Sequence, residues 1–84
     1  MEEFEIDAYL TDRGWVARAT RLRFDETGVD ETLFKADLGF QDETEDAALR
    51  RGVRWVLSKG GKVSVVMRRG APVSSAPYVA NGLP

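Results

Sequence analysis

The chain has no cysteine and no histidine. Without thiols it has neither a disulfide framework nor a thiolate metal site, and without imidazole it loses the commonest metal ligand and the commonest general base. Zinc sites and histidine-dependent triads are therefore excluded within this chain. Long apolar runs are missing too: none approaches the roughly 20 residues that span a bilayer. The opening MEEFEID is acidic where a secretory leader is basic, so the expected location is cytoplasmic, with no membrane partner. A dominant charge sign is also lacking. Twelve Lys and Arg stand against 14 Asp and Glu, a net charge of -2, which argues against strong nonspecific nucleic-acid binding while leaving room for a local basic patch. These absences set the expectation of a protein that is not an enzyme and carries no cofactor and no metal.

What is present is enough for one small domain. In 84 residues with 43% hydrophobic content, a single modest core is expected, with stability that leans on self-association. Phe4 to Leu10 alternates, with Phe4, Ile6, Ala8 and Leu10 on one face and Glu5, Asp7 and Tyr9 on the other, the pattern of a half-buried strand. Thr11-Asp12-Arg13-Gly14 supplies a turn into a second strand, Trp15 to Phe24. A bulge near Thr20 is expected there. It turns Trp15, Ala17 and Ala19 inward before it and Leu22 and Phe24 inward after it, leaving Val16, Arg18 and Arg23 outside. The acidic DETGVD of Asp25 to Asp30 reads as a solvated loop. Thr32 to Phe40 reads as a third strand with Leu33, Lys35 and Asp37 outward.

The clearest signal is Asp42 to Gly61, DETEDAALRRGVRWVLSKGG. Asp42 with Glu45 resembles a capping box and Thr44 is a rival N-cap; both place acids at the positive end of the helix dipole. Leu49, Val53, Val56 and Leu57 form the buried stripe, and the small Ala48 and Gly52 allow a close approach to a sheet. Gly60 and Gly61 end the helix. Lys62 to Arg69 gives a fourth strand with Val63, Val65 and Met67 on one side and Ser64 and Val66 on the other.

The expected fold is α+β, in the order βββαβ. One helix packs on a four-stranded mixed sheet of order 3-2-1-4, because a right-handed crossover makes the strands flanking the helix parallel. Residues 1–69 form the single domain. Residues 70–84, rich in Gly, Pro, Ala and Ser, read as an irregular, flexible C-terminal tail with Tyr78 and Val79 as anchors.

This order over Phe4 to Arg69 resembles the first half of the ribonuclease H-like fold and its truncated form in HicB-like antitoxins, whose Thr-then-acidic helix entry is similar to TEDAALRRGVRWVL. In the nuclease family, acids on the first strand, the first helix and the fourth strand hold metal ions. Asp7 and Glu45 fall at the first two places, but the third falls among Val66, Met67, Arg68 and Arg69, where a cation repels Mg²⁺. Asp7 also points away from the face that the helix covers. The resemblance therefore carries no catalytic residue onto this chain.

Three surfaces remain as candidates. On the open sheet face, Tyr9, Val16, Leu33 and Val66 are interleaved with Arg18, Arg23, Lys35 and Arg68. This mix suits single-stranded nucleic acid, but Glu5, Asp7 and Asp37 share the face and favour cross-strand ion pairs, such as Asp7 with Arg18. On the helix, Arg50, Arg51 and Arg54 form a basic face whose simpler role is solvation. Trp55 is either a contact anchor or a ring sealing the sheet edge. Strands three and four are the expected exposed edges, and strand four, with Val65 at its centre, is suited to pairing with another chain. The leading expectation is a self-associating, protein-binding module, a homodimer. The alternative is a nucleic-acid-binding accessory protein using Arg18, Arg23, Arg50, Arg54 and Arg68.

Overall fold

The computed structural model describes residues 2–22, 24–25, 28–29 and 34–82, with side chains described for residues 2–22 and 41–79. Its main sheet has five strands: β1 (Glu3–Thr11), β2 (Gly14–Leu22), β5 (Phe34–Asp42), β6 (Lys62–Arg68) and β7 (Ala71–Val73). Two short strands, β3 (Phe24–Asp25) and β4 (Gly28–Val29), pair with each other. The main sheet runs β5-β2-β1-β6-β7. The β1–β6 pair is parallel and the other three pairs are antiparallel. The expected α+β class and mixed sheet are thus observed, with α1 (Glu45–Ser58) as the main helix. Two expectations are corrected: the sheet has five strands rather than four, and the segment read as a loop contains the β3–β4 ladder.

Helix α1 starts where its capping chemistry is best. Thr44 is the N-cap, extended at φ -129° and ψ 155°, and its hydroxyl accepts from the Ala47 amide at 3.1 Å. Asp42 instead ends β5 and binds Arg51 at 2.9 Å, so the Asp42 capping box does not form. At the other end Gly61 N–H donates to the Val56 carbonyl at 3.0 Å and Gly60 N–H to the Leu57 carbonyl at 3.1 Å, the paired bonds that close a Schellman terminus. The helix buries Ala48, Leu49, Gly52, Val53 and Val56. Around them the core collects Phe4, Ile6, Ala19, Val63, Val66 and Tyr78.

The strand registers explain which side chains reach that core. The β1–β2 ladder is unbroken from Glu3 opposite Leu22 to Thr11 opposite Gly14, so there is no bulge near Thr20. Trp15, Ala17 and Ala19 share the helix side with Ile6, as expected, and strict alternation continues to Arg21. That charge is tolerated because it sits at the end of the row, where its guanidinium reaches Glu2 at 2.9 Å and stays in solvent. Leu22 consequently takes the face away from α1. Of the strand-two residues expected to face outward, Arg23 lies outside the described residues, as does the expected inward position of the Phe24 side chain.

Irregularity occurs elsewhere. Between Val16 and Arg18 on β2, the ladder advances four residues on β5, from Gln41 to Asp37. In β6, Val63 pairs with Phe4 and Val65 with Glu5, which leaves Ser64 as the extra residue of a bulge. The bulge reverses the alternation beyond it. Val66, expected on the open face, therefore points into the core and is fully buried, and Val65 takes the uncovered side opposite Glu5.

The segment from Gly70, expected to be irregular, forms β7 and a second helix, α2 (Ala76–Gly82). The turn between β6 and β7 has two residues of positive φ, Arg69 at 53° and Gly70 at 78°, the conformation that a two-residue hairpin needs to match strand twist. Arg69 can hold it because its amide donates to Glu45 Oε2 at 3.0 Å. Tyr78, one of the two expected anchors, is buried, and Val79, the other, packs against the core cluster.

Gly52 is the tightest helix–sheet contact: a Cβ built on it comes within 2.7 Å of Ile6 Cγ2 and 3.4 Å of Ala17 Cβ. Ile6 is fully buried and β-branched, so its methyl cannot swing aside freely. Gly52→Ala is expected to lower stability in urea unfolding. The overpacking cost of about 1–3 kcal/mol exceeds the helix-propensity gain of about 1 kcal/mol.

Candidate interaction surface

The sheet face away from α1, which no helix covers among the described residues, carries the rows Glu3, Glu5, Asp7, Tyr9 on β1 and Val16, Arg18, Thr20, Leu22 on β2. Arg18 is its centre. Nε and Nη2 reach the two carboxylate oxygens of Asp7 at 3.1 and 2.6 Å, and the guanidinium lies 5.1 Å from the Tyr9 ring centroid. Bidentate geometry and the stacked ring hold the side chain flat on the sheet. Val16 lies in this row but is only 6% exposed, and Thr20 only 4%. Around Val16 and Thr20 the face therefore presents no bare apolar platform. Val65 is half-buried on the same side. Leu33 and the side chain of Lys35 lie outside the described residues.

Arg68 is displaced from this face by the bulge that moves Val66. It lies on the helix side, with Nε 3.2 Å from Asp46 Oδ1, an ion pair whose angle is not that of a hydrogen bond. Asp46 also accepts from the Tyr78 hydroxyl at 3.1 Å, and Arg50 lies 5.3 Å from the Tyr78 ring and donates to the Pro77 carbonyl at 3.2 Å. Arg51 binds Asp42. Of the basic helix face that the sequence suggested, Arg54 is exposed. Burial, followed by the hydrogen bond and the negative charge of Asp46, pushes the Tyr78 phenol above its ordinary range.

Asp7 and Glu45 do not form a common site. Asp7 is held by Arg18 on the uncovered face, and Glu45 binds the Arg69 amide at the start of α1. Among the described residues, no group of three acidic side chains converges in a way that holds a metal. The depression lined by Trp15, Glu43, Thr44, Glu45, Asp46, Arg68 and Arg69 holds about 450 Å³, but it is open and edged by ion pairs.

Trp55 is half-buried. Its ring meets Phe4 edge-on at 6.2 Å between centroids, and Lys59 Nζ lies 5.9 Å from its centre. The ring thus seals the end of the core beside Phe4, and its remaining surface adjoins Arg51, Arg54 and Ser58. Leu10 is the most exposed large apolar side chain among the described residues, at 64%.

The two sheet edges differ. On one side β7 covers the Val66–Arg68 half of β6, which corrects the expectation that strand four is an open edge. Sequence reading missed this strand because Ala71-Pro72-Val73 is too short to show alternation; the signal was Gly70 directly after a strand. Pro72 lacks an amide hydrogen, so β7 is poorly suited to extend the sheet further. On the other side β5, nine residues long, pairs with β2 alone among the described residues. Thr11 and Gly14 flank a two-residue turn and so form a hydrogen-bonded pair, and the alternation of antiparallel ladders carries that pattern outward. It turns the amides of Ala19 and Ala36 toward each other and those of Lys35 and Asp37 to the open side of β5.

No family model, curated protein or solved structure matches the chain. Among the described residues no helix is long and apolar enough to cross a membrane.

The Tyr78–Asp46 contact gives a pH dependence with a definite sign. A phenol whose folded pKa is raised contributes stability that is fully present below the unfolded value of about 10; above it the unfolded chain ionises first, and that stability is lost as pH rises through the folded pKa. Tyr78→Phe is expected to cost about 1 kcal/mol at neutral pH and to flatten the fall in stability above pH 10, as read by thermal melts across pH 8 to 11.

Proposed function

We propose that this chain is a small non-enzymatic interaction module that self-associates through the open edge of its sheet. The observation that carries the reading is the asymmetry of the two edges: a short, proline-bearing β7 on one side and a nine-residue β5 on the other, with outward amides at Lys35 and Asp37. Edge amides and carbonyls that meet no second strand among the described residues are a template for another strand. Three of the five arginines that a nucleic acid would use favour a protein partner instead. Arg18, Arg50 and Arg68 are each engaged by a carboxylate, a carbonyl or a ring within the chain, and phosphate would have to displace those contacts. The resemblance to truncated ribonuclease H-like modules is proposed as shared architecture only and adds nothing to the functional reading, because a fold does not carry a function.

Light scattering and sedimentation over a wide concentration range test this. The mass is expected to rise toward a dimer with concentration. Lys35→Pro and Asp37→Pro, which remove outward amides, are expected to shift it to monomer with the circular dichroism little changed. Ala36→Pro removes an amide directed at β2 and is expected to destabilise the fold by about 3 kcal/mol. A mass that stays monomeric at the highest attainable concentration ends the proposal.

A further inference from the structure

The sequence of β5 identifies how a second copy would dock. Phe34-Lys35-Ala36-Asp37-Leu38 is its own electrostatic complement when read in reverse about Ala36. In an antiparallel pair related by a two-fold axis at Ala36, Lys35 of each copy stands opposite Asp37 of the other, and Phe34 stands opposite Leu38. Neighbouring centres fail this test. An axis at Lys35 sets lysine against lysine, and one at Asp37 sets aspartate against aspartate. An axis at Phe34 sets Lys35 against Leu33, and one at Leu38 sets Asp37 against Gly39.

The backbone agrees with the same centre. The Ala36 amide is directed to β2, so an Ala36–Ala36 pair is non-hydrogen-bonded, and the flanking Lys35 and Asp37, with outward amides, exchange the reciprocal ladder bonds. Lys35 and Asp37 hold the register positions opposite Thr20 and Arg18, in the row of the uncovered face. The charges of the pairing therefore fall in one row of the ladder, where opposite signs favour this register and like signs oppose the axes at Lys35 and Asp37.

We infer that the protein forms a two-fold dimer by β5-to-β5 pairing centred on Ala36, fixed in register by two reciprocal Lys35–Asp37 pairs. This inference rests on the self-association reading and adds the partner, a second copy of this chain, and its alignment.

Two single charge reversals test the register. Lys35→Asp makes a chain with acids at both positions, and Asp37→Lys one with bases at both. Each alone places like charges opposite each other twice per dimer, so self-association should weaken by roughly tenfold. An equimolar mixture restores two complementary pairs and should recover dimer at the wild-type concentration dependence. Recovery on mixing also separates the effect from any loss of folding in either variant. Independently, Ala36→Cys supplies the only thiol in the chain, and oxidation should yield a disulfide-linked dimer, since directly opposed non-hydrogen-bonded residues lie about 4.5 Å apart at Cα, within disulfide reach. A wild-type dimer whose strength neither reversal changes, or reversals that weaken it without rescue on mixing, overturns the Ala36 register while self-association stands. A wild-type chain that remains monomeric overturns both.

Discussion

The distance between α1 and the sheet is set by Gly52 against Ile6 and Ala17, where a single added carbon would approach to 2.7 Å. Everything that the helix carries follows from this contact. With the backbone drawn close, Leu49, Val53 and Val56 reach into the space between Phe4, Ile6 and Val66, and all three are fully buried. A small domain has little apolar surface to bury, so close packing over a few side chains matters more than in a larger core. Trp55, at the end of this stripe, then falls over Phe4 and closes the core on that side.

The same placement fixes the acidic first turn of α1 beside the end of β6. Glu45 accepts the Arg69 amide and Asp46 meets Arg68 and Tyr78. Acids at a helix N-terminus are favourable on their own through the dipole. Here they also receive the β6–β7 turn and α2, so Glu45, which falls at a metal-ligand place in the nuclease resemblance, and its neighbour Asp46 serve as attachment points for the C-terminal segment. Three elements then meet around one carboxylate. This arrangement leaves the two sheet edges unequal: β7 covers part of β6, and β5 keeps its outward amides.

Much of the architecture was legible in the sequence because it is written in local patterns. The alternation of Phe4, Ile6 and Ala8, the stripe of Leu49, Val53 and Val56 with Gly52 beside it, and the Gly60-Gly61 terminus each describe a few neighbouring residues, and these elements occur in the expected order. Val65, expected beside Val63, is turned away from the helix by the bulge, while Tyr9, Val16 and Arg18 lie on the face expected for them, where the Asp7–Arg18 pair follows from opposed positions in the hairpin. Val66 and Arg68 do not lie there. One extra residue, Ser64, inverts the strand beyond it, and nothing in Val63 to Met67 marks the point, since every position on either face is apolar or small.

The sequence by itself determined the four long strands, the main helix with its Gly60-Gly61 end and the helix-facing side of β1, because hydrophobic periodicity and capping are properties of adjacent residues. Tertiary structure decided the β6 bulge, the absence of a β1–β2 bulge, the order of the C-terminal segment and the partners of each arginine. These depend on pairing between residues far apart in the chain. A strand of three residues with a central proline gains order only when β6 offers it a ladder, and Tyr78 is buried only because Asp46 and α1 stand where Gly52 allows them to stand.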